Sequence, residues 1–208
     1  MLTVYGIPLF LKGLAFGFIL AATVGPMWVL CLRRTLAFGT LAGLASGMGI
    51  AVADGLYGAV AAFGLTAISG FLLGHTFWIG LAGAAFLLFL GIRTLLSKPS
   101  ELQPESKNQG LMKDFLSTLA LTLANPPTIL AFVAIFAALG LVSSADYASA
   151  ALITLGVFLG STSWWLVLAS AAGSLRSRMG PRLLRAINIV SGLSILGFAG
   201  WQFAELLR

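Results

Sequence analysis

Charge is scarce in this chain. Of its 208 residues, 9% are Asp, Glu, Lys or Arg, against about 25% in ordinary soluble domains. A soluble fold of this length needs far more polar side chain to cover itself, so that class is excluded. Cys31 is the only cysteine. An internal disulfide and a cysteine-based metal site are therefore ruled out. His75 is the only histidine and has no second His, Cys or carboxylate near it in sequence. Neither a metal nor an organic cofactor is expected. No basic segment precedes the first apolar run, which continues to Leu32 with arginines after it. That is not the pattern of a cleaved signal peptide.

Hydrophobicity takes the place of charge. The chain is 59% hydrophobic, with a mean hydropathy of +1.03. Its apolar runs are long enough for membrane helices rather than barrel strands. An all-α integral membrane protein is expected. Allowing roughly 20 apolar residues per span, six transmembrane helices can be counted: Pro8–Leu32, Gly39–Gly64, Thr76–Leu96, Phe115–Leu141, Ala148–Gly173 and Leu183–Leu207. The polar stretch 97–112 separates a first unit, 1–96, from a second, 113–208.

The net charge is +6, and the basic residues cluster in alternate loops, with Arg93 at the edge of the third loop and Lys12, close enough to the outer surface to snorkel, a minor counter-vote. Arg33 and Arg34 follow span one. Lys98, Lys107 and Lys113 lie around the linker, and Arg176, Arg178, Arg182 and Arg185 lie between spans five and six. The loops between have none. Such alternation marks cytoplasmic loops and points to topology, not to a nucleic-acid partner. Both termini are then expected outside, in a multi-pass protein of the cytoplasmic membrane. Three spans per unit turn the second unit upside down relative to the first. Two inverted three-helix repeats with a midplane site at broken helices are a common transporter plan.

Two helix breaks fall in matching places. Gly25-Pro26 interrupts span one and Asn125-Pro126-Pro127 interrupts span four. Proline has no N–H, so Pro26 frees the carbonyl of Ala22, and Pro126 and Pro127 free those of Thr122 and Leu123. Asn125 adds an amide, with Thr118, Thr122 and Thr128 nearby. A plain kink or interhelical hydrogen bonding is the alternative use of such residues.

Apart from Glu205 at the very end of span six, Asp54 is the only acidic residue placed within a span. A charge at bilayer depth costs about 2.5 to 3.5 kcal/mol on insertion scales. At about 100° per residue, Asp54 shares a helix face with Gly43, Gly47 and Gly58. Small residues mark the face where helices approach, so Asp54 is expected to point into the bundle. There it would carry a proton or meet a substrate ammonium. Trp164-Trp165, beside Ser161, Thr162 and Ser163 near the middle of span five, is a candidate pocket wall, with Trp164 the candidate contact. The GxxxG-like spacings read as packing, and the loop arginines as topology anchors.

Taken together, Gly17, Gly25-Pro26, Arg33-Arg34, Gly39, Gly43, Gly47, Gly49 and Asp54, with Leu123-Ala124-Asn125-Pro126, resemble the lysine exporter (LysE) superfamily, in particular its threonine/homoserine exporter (RhtB) branch. The resemblance spans nearly the full chain. Pro127 departs from it, since the family usually has a single proline after the asparagine. The resemblance implies a proton-driven secondary exporter of amino acids or close analogues, not an enzyme. By position it implies Gly25, Pro26, Asp54, Asn125 and Pro126 as motif residues. The partners are then a small amino-acid substrate, protons and the lipid bilayer, with a homodimer through small-residue faces compatible with the pattern. Metal-cation efflux and a non-transporting membrane scaffold are the alternatives. One buried carboxylate without a thiol pair suits the first poorly, and the second has no need of Asp54 or paired breaks.

Overall fold

The computed structural model describes residues 2–62, 74–96, 107–125, 128, 131–132, 147–175 and 180–207. Among these residues the main elements are seven α-helices: α1 Leu2–Ala22, α2 Pro26–Phe38, α3 Thr40–Ala62, α4 Thr76–Leu96, α5 Lys107–Leu123, α6 Tyr147–Leu175 and α7 Pro181–Leu206.

The first expected span, Pro8–Leu32, is two helices. Its two parts are bent by 74°. The cause is local. Pro26 cannot donate to Ala22, and α1 closes with a tight turn in which the Thr23 N–H reaches the Leu20 carbonyl at 3.1 Å. Gly25 is extended, with φ −155° and ψ −173°, and Pro26 then takes the first position of α2, where a missing N–H costs nothing. Helix α2 ends at Gly39, whose N–H bonds the Thr35 carbonyl. Gly39 has φ 105° and ψ 173°, a combination essentially reserved for glycine. Helix α3 starts at the next residue.

Helices α3, α4, α6 and α7 match the expected spans to within a few residues. Helix α5 begins at Lys107, so residues 107–112, assigned to the linker, are helical. Most of the fourth expected span beyond Asn125 lies outside the described residues. Among the described residues four helices are long and apolar enough to cross a membrane, and α1 with α2 qualifies as a bent pair.

The helices pack α1 on α6, α3 on both α6 and α5, and α4 on α7, with α2 lodged against α3, α6 and α7. The α1–α6 seam is reciprocal. A Cβ on Gly13 or Gly17 would strike the carbonyl of Ile153 or Val157, and one on Gly156 or Gly160 that of Phe10 or Leu14. Missing side chains let these backbones touch, which is how small residues hold membrane helices together. On α3, Gly47 receives Trp165 and Gly49 receives the Phe115 carbonyl and the Thr118 hydroxyl. Large apolar side chains such as Leu41, Leu56, Phe89, Val190 and Trp201 face outward, while Ser46, Asp54, Thr118, Ser161, Asn188 and Gln202 are buried. That inside-out distribution is the one a lipid solvent selects.

Candidate functional site

Asp54 sits where the glycine face of α3 meets α6, and it is 2% exposed. Ser161 of α6 donates its hydroxyl to Asp54 Oδ2 at 2.7 Å. The Trp165 indole N–H donates to Ser161 Oγ at 3.2 Å. With its oxygen engaged by the indole, the serine hydroxyl hydrogen is directed at the carboxyl. Among the described residues no side-chain cation pairs with Asp54; Arg34 pairs instead with Asp114. A buried acid with one hydroxyl donor and no counter-charge leaves neutralisation to a proton or a visiting cation.

One turn along α3 from Asp54, Tyr57 donates to the Leu123 carbonyl at 2.6 Å. Leu123 closes α5, immediately before Ala124 and Asn125. The Asn125 N–H takes the Thr122 carbonyl at 3.2 Å. Both carbonyls freed by the double proline thus have partners inside the protein. The Asn125 side-chain amide donates to Thr128 Oγ1 at 2.8 Å, bridging the break. Thr122 is buried and returns its hydroxyl to the Thr118 carbonyl of its own helix. Pro126 lies outside the described residues.

The sequence pointed to Trp164, but it is Trp165 that joins the Asp54 network. Trp164 packs edge-on against Phe18 of α1, with ring centroids 5.4 Å apart. Its buried indole N–H has no hydrogen-bond partner, and neither has that of Trp28, just past the first break. Nothing crowds Gly25; a Cβ there would have open space.

Arg33 and Arg34 are not the solvated anchors expected of a loop. They ride on α2 and are 8% and 6% exposed. Arg34 Nε stands 3.1 Å from Asp114 Oδ1. Its other nitrogens reach Ser46 Oγ, the Asp114 carbonyl and Ser117 Oγ at 2.8 to 3.1 Å. Arg33 Nε donates to Asn188 Oδ1 at 3.0 Å and lies over the Phe38 ring. These arginines pin α2 to α3, α5 and α7. At 1.5 Å per residue, Ser46 is about 12 Å from Asp54 along α3, so the ion pair and the acid occupy different layers. The only trace of it in the sequence is an acid, Asp114, directly before the expected start of span four at Phe115. An open apolar groove of about 550 Å³ between α4 and α5 is lined by Phe86, Met112, Lys113, Leu116, Ser117 and Ala120, and does not include Asp54. Among the described residues no group of three or more His, Cys, Asp or Glu is gathered to hold a metal.

With this arrangement in place, comparison with known proteins is decisive. The family described as LysE type translocator matches residues 18–204. The chain belongs to this family. A relative, YcgF of Bacillus subtilis (strain 168), bears a name that assigns it to amino acid efflux; it is 28% identical over 199 residues, 94% of each chain. No solved structure matches. As a LysE-type translocator with several apolar helices, the protein is a multi-pass membrane protein.

Proposed function

We propose that this protein exports amino acids or close analogues across the cytoplasmic membrane as a proton-coupled secondary transporter, not as an enzyme. The observation that carries the reading is Asp54: a carboxyl buried between α3 and α6, held by one serine and lacking a paired cation. In one step of the cycle it holds a proton. In another it meets a substrate ammonium or gives the proton up. The broken turns at Gly25-Pro26 and Asn125-Pro126, with Thr122, shape the path around it. The partnerless indole N–H of Trp164 is suited to a substrate carboxylate, because a buried donor gains most from an acceptor that brings charge.

The pairing of helices favours six spans in two inverted repeats, 1–96 and 113–208, joined by a cytoplasmic linker. Exchange span one (α1 and α2) with four (α5), two (α3) with five (α6), and three (α4) with six (α7). The α1–α6 contact then becomes α5–α3, and the α3–α6 and α4–α7 contacts map onto themselves. The lysines around the linker and the arginines between spans five and six favour an inside position for those loops and an outside one for the termini. Small-residue faces would serve a homodimer.

The test is accumulation. Cells lacking the protein are fed alanyl dipeptides, and the free amino acid that builds up inside is identified. The wild-type gene relieves the accumulation, and Asp54→Asn, inserted at the same level, does not. Relief by Asp54→Asn at the wild-type rate would overturn the coupling role.

A further inference from the structure

Helix α5 stops where its last carbonyls lose their donors. The residue four places after Leu123 is Pro127, which has no N–H to give. A buried carbonyl left without a donor is destabilising. Tyr57 supplies the missing donor through its hydroxyl. Its ring is 4% exposed and tilted against Phe132 at a centroid distance of 5.6 Å. Phe132 in turn meets Phe16 of α1 edge-on at 5.2 Å. Tyr57 therefore touches the chain on both sides of the Asn125-Pro126-Pro127 break, Leu123 before it and Phe132 after it. It does so from the helix that carries Asp54, one turn away on nearly the same face.

We propose that Tyr57 is a positioning residue for the substrate path, standing in for the N–H that Pro127 lacks and fixing the second broken turn, with Asn125, relative to Asp54. It acts through the Leu123 backbone and does not touch substrate. The inference rests on Asp54 being the site carboxylate. Phenylalanine at position 57 keeps the ring packing and removes only the hydroxyl. Alanine at position 127 returns an N–H to the chain at the i+4 position from Leu123, the donor place of a continuing helix. The two changes are therefore coupled, and the coupling is the signature of the role.

The experiment measures export from cells fed alanyl dipeptides, per inserted molecule, as a function of the internal amino-acid concentration. Tyr57→Phe is expected to raise the half-saturating concentration about tenfold, the loss of one good hydrogen bond, while membrane abundance holds. In a Pro127→Ala background the same change is expected to have little effect. If Tyr57→Phe alone fails to insert, insertion and export by the double variant support the role, and its failure overturns it. An unchanged half-saturation in Tyr57→Phe, or an equal effect in both backgrounds, also overturns it. Asp54→Asn run in parallel separates the two readings: normal export there removes the site assignment, whereas an unaffected Tyr57→Phe removes only the positioning role.

Discussion

Arg34 and Asp114 face each other at 3.1 Å, joining α2 to the middle of α5 across 80 residues of sequence. Removing one member of a buried ion pair costs about 3 to 5 kcal/mol, because the other charge stays behind. Asp114 is 17% exposed, so the low end, about 3 kcal/mol, applies. Asp114→Asn is expected to lower the melting temperature of the detergent-solubilised protein, and the double reversal Arg34→Asp with Asp114→Arg to recover part of it. Arg34→Lys keeps the charge but not the fork of donors and should fall between. Melting unchanged in Asp114→Asn would show that the pair does not hold α2 in place.

The two adjacent tryptophans are expected to fail differently. Trp165→Phe unties the serine that faces Asp54, so it should alter the dependence of export on external pH and lower stability. Trp164→Phe removes an N–H that bonds none of the described residues, so melting should fall less than in Trp165→Phe and half-saturation by the exported amino acid should rise. Ser161→Ala deletes a bond to an ionisable group, worth about 1.5 to 3 kcal/mol, and should slow export at least tenfold. Export profiles at several pH values, normalised to inserted protein, decide this. A pH effect confined to Trp164→Phe would transfer the Asp54 role to a different network.

Glycines 17 and 25 make a contrasting pair. Gly17→Ala would drive a methyl into the Val157 carbonyl, and overpacking of this kind costs about 1 to 3 kcal/mol. Gly25→Ala meets open space on an extended backbone and should melt with the wild type. A loss of export by Gly25→Ala then reports on the path itself, while a loss by Gly17→Ala tracks melting. Equal melting of the two variants would mean that the α1–α6 seam is looser than its reciprocal glycines indicate.

Much of this was legible in the sequence, for reasons that mark where legibility ends. Hydropathy gave the bounds of α3, α4, α6 and α7, since lipid demands an uninterrupted apolar run. Helical periodicity put Asp54 on the glycine face, and that face meets α6. Proline chemistry foretold the end of α1 at Gly25-Pro26 and the freed carbonyls of Thr122 and Leu123. What it could not supply were partners distant in the chain. Tyr57 reaches Leu123 over 66 residues and Ser161 reaches Asp54 over 107, and no local pattern encodes either. Arg33 and Arg34 were misread because a basic pair after an apolar run usually marks a loop. Here the 74° bend returns the chain into the bundle and takes both charges with it. Neighbouring residues on a helix point about 100° apart, which the string Trp164-Trp165 does not resolve.

Gly39 alone separates α2, with both buried guanidinium groups, from α3, with the acid. With one residue at the corner there is no loop over which a movement of α2 against α3 could be spread, so it would fall on Gly39 itself. Arg34, bonded to Ser46 of α3, braces that corner from inside.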